Sequence, residues 1–415
     1  MNARKSRVIG AAAAITLGAS ALLAPAASAA NKTIVVWTDE TRGPSLTKLM
    51  NALPPNIPGY EVQVKAFSAL TALDAAWANA TAATGPDVVI SNSAYASQGA
   101  KDGKLMPLTL PSSVKSKFSA GALGTLSYKG SLYGIPLDMD TTAMYVNTKL
   151  VKVMPRTFGD MVKLYLKNKS KFTAGFCALD GVWGSQPVIT ALGGYAWGLK
   201  SDGTANIMNV GLDAPKFVAN FKKFLLAKNG KSNGFFKWAD CTPDFLAGKI
   251  PFANSGGWNL DKARTSLGSS NLKIMAVPGV KAGTTGAPWT GYQGAYVTTF
   301  SGAHGVSAGA MQFVIQYLAD AKTQAKGAAF TNRPPANLDA AAQVTDPSVA
   351  GFSKAGSRGV AQVDMYLNNT ASGANWYDLL TDMYTKILTK GAPLKATLRR
   401  AAQSAQMDFV AGYKE

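Results

Sequence analysis

The fold of this chain is decided by two stretches bracketed by Gly and Pro: Thr84-Gly85-Pro86-Asp87-Val88-Val89-Ile90 and Tyr128-Lys129-Gly130-Ser131-Leu132-Tyr133-Gly134-Ile135-Pro136-Leu137-Asp138. The first predicts a turn that enters a short buried strand, because an unbroken apolar run follows the turn residues. The second predicts a hairpin whose outgoing strand ends at Pro136, beside the carboxylates of Asp138 and Asp140. Both stretches therefore place the end of a strand next to a polar loop.

Strands and helices alternate around the first stretch. Thr33 to Trp37 and Glu61 to Phe67 have strand patterns, and each is followed by a helical segment, Pro44 to Ala52 and Ala72 to Ala83. Such alternation is typical of βαβ units and a mostly parallel sheet. Ligands of such sheets bind beyond the carboxyl ends of the strands. This rule indicates three loops: Thr38 to Gly43, Ser91 to Ala94 and Asp138 to Thr142.

A second unit begins after Asp140. Ala143 to Thr148 predicts a strand that leaves the first unit, and amphipathic helices follow at Phe158 to Leu166 and Lys216 to Lys228. Short strands are predicted at Ile250 to Asn254 and Lys273 to Val277. The stretch from Val277 to Gly294, rich in Gly, Pro and Thr, predicts a connector that returns to the first unit.

The N-terminus has the three parts of a cleaved signal peptide, predicted at residues 1–29. Arg4, Lys5 and Arg7 precede an apolar run from Val8 to Leu23, and Ala27-Ser28-Ala29 is a small-residue cleavage site. No cysteine stands directly after the apolar run, where a lipid would be attached, so we expect no lipoprotein anchor. The interpretation is a periplasmic or secreted protein.

The chain is strongly basic, with 42 Lys and Arg against 23 Asp and Glu. Its formal net charge is +19, of which the leader supplies three positive charges. An excess of this size is also typical of nucleic-acid binding. The basic residues are scattered along the whole chain, however, and no Arg-rich run interleaved with aromatic residues occurs. Adaptation to an anionic envelope is the preferred interpretation, and we expect no nucleic-acid partner.

Two cysteines, Cys177 and Cys241, stand 64 residues apart. In an exported chain such a pair favours one disulfide. A metal site is not expected, because the chain has a single histidine, His304.

Five short motifs occur in an order that resembles one protein family. They are Trp37 to Gly43, Pro136 to Asp140 with Tyr145 to Leu150, Leu192-Gly193-Gly194-Tyr195-Ala196-Trp197, Gly256-Gly257-Trp258 and Asn375-Trp376-Tyr377. In their residues and in their order along the chain, these motifs resemble those of the extracellular solute-binding proteins of ABC importers, in the maltose and oligosaccharide branch. The resemblance covers essentially the whole chain after the leader.

The resemblance implies an α/β fold of the periplasmic-binding-protein class, type II-like. It has two lobes, each a mostly parallel sheet flanked by helices. Lobe I is expected at residues 30–138 and 295–333, and lobe II at residues 141–290 and 336–415. The chain would cross between the lobes near 138–145, 289–295 and 333–336. A sugar of the maltose, trehalose or oligosaccharide type would bind in the cleft, the lobes would close on it, and the monomeric protein would deliver it to permease subunits in the membrane. Neither catalysis nor a cofactor is implied.

Candidate ligand-binding residues have the chemistry that a sugar requires. Aromatic rings cover the apolar face of a sugar, while carboxylate, guanidinium and amide groups pair with its hydroxyls. One departure from the family pattern is that Ser91-Asn92-Ser93 stands where an aromatic residue is usual, so the ligand could be a different or smaller sugar. The candidates are Thr41, Arg42, Asn92, Asp138, Asp140, Trp183, Trp258, Tyr292, Gln293, Arg333, Trp376 and Tyr377.

Two alternatives remain open. A solute-binding protein for a polyamine or an anion would have the same fold and a different ligand. A secreted protein that adheres to nucleic acid or to a surface would use the basic charge. An enzyme is disfavoured, because Gly230-Lys231-Ser232-Asn233-Gly234 follows a helical run rather than the strand that a nucleophile elbow needs. Asp138 and Asp140, two residues apart, neither establish nor exclude a glycosidase pair.

Overall fold

A computed structural model describes residues 31–199, 205–206, 208–361 and 376–412 of the chain. The predicted signal peptide at residues 1–29 lies outside the described residues, as does Asn375 of the last motif. Among the helices of the described ranges, none has the length and apolar character that a membrane crossing requires.

The described strands are numbered in chain order. They are β1 (Lys32–Thr38), β2 (Tyr60–Ala66), β3 (Val88–Asn92), β4 (Ser127–Tyr128), β5 (Ser131–Leu132), β6 (Gly134–Thr141), β7 (Ala143–Asn147), β8 (Phe176–Ala178), β9 (Gly198–Leu199), β10 (Ala205–Asn206), β11 (Phe236–Lys237), β12 (Phe252–Ser255), β13 (Leu272–Met275), β14 (Trp289–Val297) and β15 (Val360–Ala361).

The described α-helices are numbered in the same way. They are α1 (Arg42–Ala52), α2 (Leu70–Ala78), α3 (Ala94–Lys101), α4 (Ser112–Lys115), α5 (Ala120–Thr125), α6 (Phe158–Lys167), α7 (Gln186–Ala191), α8 (Pro215–Leu225), α9 (Thr242–Leu246), α10 (Leu260–Leu267), α11 (Phe300–Ala303), α12 (Ser307–Gln312), α13 (Ala321–Thr331), α14 (Leu338–Ala341), α15 (Pro347–Gly356), α16 (Trp376–Tyr384) and α17 (Leu394–Gly412). Single 3₁₀ turns occur at Gly181–Ser185, Gly257–Asn259 and Ser269–Asn271, and π-helical turns at Phe313–Leu318 and Thr385–Thr389.

Two sheets organise the fold. Sheet I has the order β15-β14-β3-β1-β2, with β6 paired to β14, and sheet II has the order β11-β8-β12-β7-β13. We call the elements around sheet I lobe I and those around sheet II lobe II. The two-lobed α/β fold expected from the sequence is therefore confirmed.

Both sheets are mixed, whereas the sequence pattern predicted mostly parallel ones. In sheet I, β1 runs parallel to β2 and β3, but β14 runs antiparallel to β3 and β6. In sheet II, β8 runs parallel to β11 and β12, but β7 runs antiparallel to β12 and β13. The antiparallel pairs arise because β6, β7 and β14 lie where the chain changes lobe and not within βαβ units.

The chain passes between the lobes at three places. It leaves lobe I at Thr142, between β6 and β7, and it returns along β14. Near Pro334, whose carbonyl accepts a hydrogen bond from Met139 N–H at 2.7 Å, the chain still belongs to lobe I. Helix α14 packs there too, because Leu338 N–H donates to the carbonyl of Lys117 and Asn337 Nδ2 donates to that of Ala319 at 3.0 Å. The third passage therefore follows α14, later than the 333–336 expected from the sequence. Beyond it, α15 packs on β13 of lobe II, with Gly351 against Ile274. The residue bounds of the two lobes stay a prediction, but these passages run side by side beneath the space between the sheets.

Helices cover both faces of each sheet, which explains the apolar runs in the strands. Val88, Val89 and Ile90 of β3 are all at most 2 % exposed, although neighbouring side chains of a strand point to opposite faces. In lobe II, Met144 and Val146 pack on one face of β7, and Tyr145 packs on the other. A strand buried on both sides shows no alternation of apolar and polar residues.

Two local predictions from the sequence are confirmed, the hairpin turn and the disulfide. The expected end of the outgoing strand at Pro136 is wrong, because β6 continues through Pro136 to Thr141, paired with β14 along that length. Lys129 (φ 47°) and Gly130 (φ 81°) form the left-handed turn of a hairpin between β4 and β5. Cys177 of β8 and Cys241, which precedes α9, are joined by a disulfide with a Cα–Cα distance of 5.8 Å. Both cysteines lie in lobe II, so the bond does not link the two lobes.

Candidate functional site

A cleft of about 410 Å³ opens between the lobes. Lobe I contributes the loops after β1 and β3 together with parts of β6 and β14, and lobe II contributes residues that follow β8 and β12 and the start of α16. The residues that line it are Asp39, Glu40, Thr41, Arg42, Leu70, Asn92, Ser93, Ala94, Asp140, Asp180, Trp183, Trp258, Trp289, Gly291, Tyr292, Gln293, Arg333 and Tyr377. All three segments predicted from the carboxyl ends of strands reach this cleft, although the third, Asp138 to Thr142, lies mostly within strand β6 and not in a loop.

The loop after β1 is held by the carboxylate of Asp39. Its Oδ1 accepts hydrogen bonds from the backbone N–H of Thr41 at 2.8 Å and of Arg42 at 2.9 Å, and its Oδ2 pairs with Arg42 Nη1 at 2.8 Å. Burial raises the pKa of Asp39, but the guanidinium of Arg42 and these hydrogen bonds outweigh it and lower the pKa to about 2. Asp39 is therefore ionised and fixes Arg42 at the start of α1.

Arg42 joins a compact group of buried charges. Its Nη2 lies 3.6 Å from Asp138 Oδ1 and 3.8 Å from Asp140 Oδ1. Arg333 Nε lies 4.0 Å and 3.7 Å from the same two oxygens. We call Asp39, Arg42, Asp138, Asp140 and Arg333 the charged cluster. Its three carboxylates exceed its two guanidinium groups by one charge.

Burial and neighbouring charges shift the pKa values of this cluster in competition with each other. Burial raises the pKa of Asp138, although Arg42 and Arg333 oppose it. The pKa of Arg333 is lowered by burial and by the nearby charge of Arg42. For Arg42, burial lowers the pKa, but Asp138, Asp39 and Asp140 more than offset that effect, so the net pKa is raised. Arg42 thus stays charged and is the cation on which the cluster depends.

Several polar atoms of the cluster and its neighbour Gln293 have hydrogen-bonding capacity left. Gln293 Nε2 donates to Asp140 Oδ2 at 2.8 Å, while its Oε1 has no hydrogen-bond partner among the described residues. The same holds for Arg42 Nη2 and Arg333 Nε. Buried polar groups are nearly always paired in native proteins, so unpaired ones beside a cleft indicate a polar ligand.

The lobe II side of the cleft is aromatic. The rings of Trp183 and Trp258 lie 5.5 Å apart between centroids, with 50° between their planes. The guanidinium carbon of Arg333 lies 5.2 Å from the centre of the Trp258 ring, within the range of a cation–π contact. We call Trp183, Trp258 and Tyr377 the aromatic wall.

Asp180 fixes the orientation of this wall. Its Oδ1 accepts hydrogen bonds from Trp258 Nε1 at 3.0 Å and from Asn259 Nδ2 at 3.1 Å, and its Oδ2 accepts one from Ser255 Oγ at 2.7 Å. Burial raises the pKa of Asp180, and the bonds from Ser255 and Trp258 oppose that shift. The carboxylate thus holds the indole of Trp258 in place within the lining of the cleft.

The structure brings ten of the twelve residues predicted from the sequence to the lining of the cleft. Asp138 lies beneath it and lines a neighbouring cavity of about 60 Å³. Whether the ten contact a ligand stays a prediction.

Trp376 is placed differently from its prediction. It is 2 % exposed and packs in the core of lobe II beside Leu380 and Tyr384, outside the lining of the cleft. It is the first residue of α16, and Tyr377 is the next one. Neighbouring side chains of a helix point about 100° apart, so a residue that follows one in the core can reach the cleft.

Sequence reasoning missed several lining residues, of which Asp39, Asp180 and Trp289 are the most informative. Asp39 and Glu40 stand inside a motif that was singled out, next to the candidates Thr41 and Arg42. Asp180 follows β8 by two residues, so the rule on the carboxyl ends of strands would have found it if the three-residue strand β8 had been recognised. Trp289 begins β14 within a stretch that was interpreted only as a connector.

Metal binding has no support in the described residues. Within residues 31–199, 205–206, 208–361 and 376–412, no group of three or more His, Cys, Asp or Glu side chains is arranged to hold an ion. Asp39 and Asp140 of the cleft are instead paired with arginines, and Asp180 accepts hydrogen bonds from neighbouring side chains.

Comparison with known proteins agrees with this architecture. The model of a protein family described as bacterial extracellular solute-binding protein matches residues 55–353. A galactooligosaccharide-binding protein of Bacillus subtilis is 24% identical over 284 residues, which cover 65% of this chain and 65% of that protein. A maltodextrin-binding protein of the same organism is 25% identical over 291 residues, covering 65% of this chain and 66% of that protein. A maltotriose-binding protein of Pyrococcus abyssi is 26% identical over 196 residues, which cover 44% of this chain and 40% of that protein. The chain thus spans less than two thirds of the length of these relatives.

Proposed function

Since the chain belongs to the family of bacterial extracellular solute-binding proteins, we propose that it is the sugar-capturing component of an ABC importer. It binds a sugar of the maltose, trehalose or oligosaccharide type in the cleft, closes on it, and delivers it to permease subunits in the membrane. It acts as a monomer outside the cytoplasm, after removal of the signal peptide and without a lipid anchor. It catalyses no reaction and needs no cofactor.

One observation carries the proposal: an aromatic wall faces a charged cluster with unfilled hydrogen-bonding capacity across a single cleft. The tilted rings of Trp183 and Trp258 suit the apolar face of a pyranose, whose C–H groups pack on indole. Arg42, Asp140 and Gln293 suit its hydroxyls, which both donate and accept hydrogen bonds. The names of the matched relatives, which refer to galactooligosaccharide, maltodextrin and maltotriose binding, support a sugar of this kind.

Closure of the lobes is the proposed working step. Three adjacent chain passages allow the lobes to rotate about a common hinge. A sugar that touches the charged cluster on one side and the aromatic wall on the other binds the closed form more tightly than the open form. The ligand therefore shifts the population toward the closed form, and this shape is what the permease would recognise.

The test is a thermal-shift screen followed by calorimetry with maltose, trehalose, galactooligosaccharides and maltodextrins. A ligand present at a hundredfold excess over its dissociation constant stabilises the folded state by about 2.7 kcal/mol. We expect one sugar family to bind, and Trp258→Ala to weaken that binding by at least about tenfold through loss of the stacking surface.

Trp238→Ala is the matched control for this variant. Trp238 is also half-buried in lobe II, where it packs on Phe236 and Tyr384, but it does not line the cleft. Its truncation should lower the melting temperature and leave the sugar affinity unchanged. Equal loss of affinity in both variants, or binding that survives Trp258→Ala, would contradict the assignment of the site.

A polyamine is the second candidate ligand, and the charge of the cleft favours it. Four acidic residues line the cleft, Asp39, Glu40, Asp140 and Asp180, against two arginines. A thermal shift with spermidine that disappears at high salt, together with no shift with any sugar, would select this candidate. Sugar binding should depend little on salt, because a sugar has no charge to screen.

A further inference from the structure

The positive charge of this protein is concentrated on one layer of lobe II. Helices α6, α8, α16 and α17 all pack on the same face of sheet II, through residues such as Phe158, Phe221, Met383 and Leu398. We call the outward side of this packing the basic layer, and define it as residues 158–171, 213–231 and 376–400. It contains fourteen Lys and Arg residues against four Asp and no Glu.

All fourteen basic side chains of the layer are exposed. They are Lys163, Lys167, Lys169, Lys171, Lys216, Lys222, Lys223, Lys228, Lys231, Lys386, Lys390, Lys395, Arg399 and Arg400. Within the part of the chain that the structure describes, only Lys386 among them forms an ion pair, with Asp382 at 2.6 Å. The layer therefore presents its charge to the surroundings rather than neutralising it internally.

Other surfaces of the protein lack this excess. In lobe I, residues 31–141 and 293–340 carry twelve Lys and Arg against ten Asp and Glu. On the opposite face of sheet II, residues 242–267 and 346–358 carry five Lys and Arg against three Asp. A general adaptation of solubility would spread charge over the whole surface, so an excess confined to one layer indicates an anionic partner at that layer.

Apart from Tyr377 at the start of α16, which lines the cleft, the layer lies away from the opening of the cleft. Lys167 and Lys171 precede the amino end of β8, whereas Asp180 and Trp183 of the cleft follow its carboxyl end. β11 runs parallel to β8 and is preceded by Lys231, so that lysine lies at the same distal end. Thr173, Ser232 and Leu388 line one cavity of about 360 Å³, so the chain just after the first two parts of the layer meets the third part there. A partner at this end would leave the cleft accessible.

We propose that the basic layer docks the protein on an anionic phospholipid surface. Ten net positive charges within one helical layer are complementary to a leaflet that contains acidic headgroups, and each Lys or Arg near such a surface raises partitioning about fivefold. Docking holds the protein at the membrane, where the proposed permease works, without covalent attachment. The electrostatic attraction extends over about 10 Å at 0.1 M salt and weakens as salt increases. The docking is therefore reversible.

Two features favour a lipid surface over a soluble polyanion. Twelve of the fourteen side chains are lysines, which act as point charges, whereas specific recognition of a phosphate polymer uses the fork geometry of arginine. The layer also exposes a large apolar side chain, Leu166 on α6, which is 49% exposed and can enter a headgroup region. Met407, on the part of α17 just beyond the layer, is 65% exposed.

The experiment is sedimentation of the full chain with vesicles of phosphatidylcholine alone and of equal parts phosphatidylcholine and phosphatidylglycerol. We expect binding to the mixed vesicles only, with a steep loss as salt increases. A layer variant carries four Lys→Gln substitutions, at Lys167, Lys171, Lys222 and Lys231. A control variant carries the same number in lobe I, at the exposed residues Lys48, Lys101, Lys115 and Lys322.

The two variants have equal net charge, so they separate a localised surface from total charge. The partition coefficient for the mixed vesicles should fall at least about tenfold in the layer variant and less than about threefold in the control variant. Equal loss in both would overturn the proposal, as would absence of binding to the mixed vesicles at low salt. Binding to a short DNA duplex without binding to the mixed vesicles would also overturn it in favour of a soluble polyanion. The melting temperature of each variant verifies that it is folded.

Discussion

The two sides of the cleft are built on different physical principles. On the lobe I side, the charged cluster is held by ion pairs and by the hydrogen bonds of Asp39. On the lobe II side, the aromatic wall is held by packing on a large apolar core and by hydrogen bonds to a single carboxylate, Asp180. From this difference we expect substitutions that change charge to alter stability and binding through the lobe I side, and substitutions that change volume to do so through the lobe II side.

The largest expected effect is the removal of the cation of the charged cluster. Arg42→Met leaves Asp39, Asp138 and Asp140 near one another with only Arg333 to compensate them. Breaking a buried charge network by removing one partner costs about 3–5 kcal/mol. We expect a loss of this size in the free energy of unfolding, measured by urea titration, together with loss of sugar binding.

Arg358→Met is the control for this change. Arg358 is exposed and its Nη1 donates only to Thr285 Oγ1 at 3.3 Å. Its removal should change the free energy of unfolding by less than about 1 kcal/mol. A loss below that value in Arg42→Met would show that the cluster does not hold the lobe I side together.

The next effect concerns the covalent support of lobe II, which the cysteine-free lobe I lacks. The disulfide closes a loop of 64 residues, and the chain-entropy model gives about 4 kcal/mol for such a loop. The double variant Cys177→Ala/Cys241→Ala should lose about 2–4 kcal/mol in the free energy of unfolding.

Affinity for the sugar should be kept in this double variant wherever it is folded, because neither cysteine lines the cleft. Calorimetry at a temperature well below its transition checks this point. A large loss of affinity at that temperature would mean that the bond positions the aromatic wall as well as stabilising the lobe.

A smaller effect is expected where the two sides meet. Gly257 precedes Trp258, and a side chain there would collide with the backbone carbonyl of Asn332, next to Arg333. Gly257→Ala must therefore push the loop of lobe II away from Asn332 and Arg333 of lobe I, at a cost of about 1–3 kcal/mol in the free energy of unfolding. Sugar affinity should fall too, because Trp258 moves relative to the charged cluster.

Gly124→Ala is the matched control, since a Cβ at that helical position meets open space. Replacement of Gly by Ala at a compatible position stabilises by about 0.4–1 kcal/mol. If Gly257→Ala behaved like this control, the close contact between the lobes would have no energetic importance.

The sequence predicted the loops of the cleft better than the contacts within it. The segments that contain Thr41, Asn92 and Asp140 were predicted because buried apolar runs mark strands, and the carboxyl ends of such strands share one edge of a sheet. Asn92 and Asp140 belong to strands β3 and β6 themselves and not to the expected loops. The hydrogen bond of Gln293 to Asp140 was not predictable, because it joins residues 153 positions apart whose proximity depends on the pairing of β14 with β6.

Two further errors have a similar origin. Asp180 was missed because β8, with three residues, is too short to give a periodic pattern. Trp376 was assigned to the ligand because composition alone does not distinguish the cleft side of the first turn of α16 from its core side. In both cases tertiary packing, and not the local sequence, decides which side chain reaches the cleft.

The smallest effect tests whether charge pairs matter in lobe I away from the cleft. His304 Nδ1 lies 2.7 Å from the buried Asp87 Oδ1, and the hydrogen bond with Asp87 raises the pKa of His304 above its usual 6.5, although burial opposes the shift. A pKa raised in the folded state means that the folded protein binds the proton more tightly than the unfolded one does. The resulting stabilisation is complete below the unfolded pKa, near 6.5, and is lost as the pH rises through the folded pKa.

His304→Gln removes the titrating charge and keeps a side chain able to donate to Asp87. The free energy of unfolding of the wild type should exceed that of the variant most below pH 6.5, by less than about 1 kcal/mol, and the difference should disappear as the pH rises through the raised pKa of His304. A difference independent of pH would assign the contribution of His304 to packing and hydrogen bonding. Charge would then matter in lobe I only beside the cleft, which would tie the electrostatic character of that lobe to its ligand.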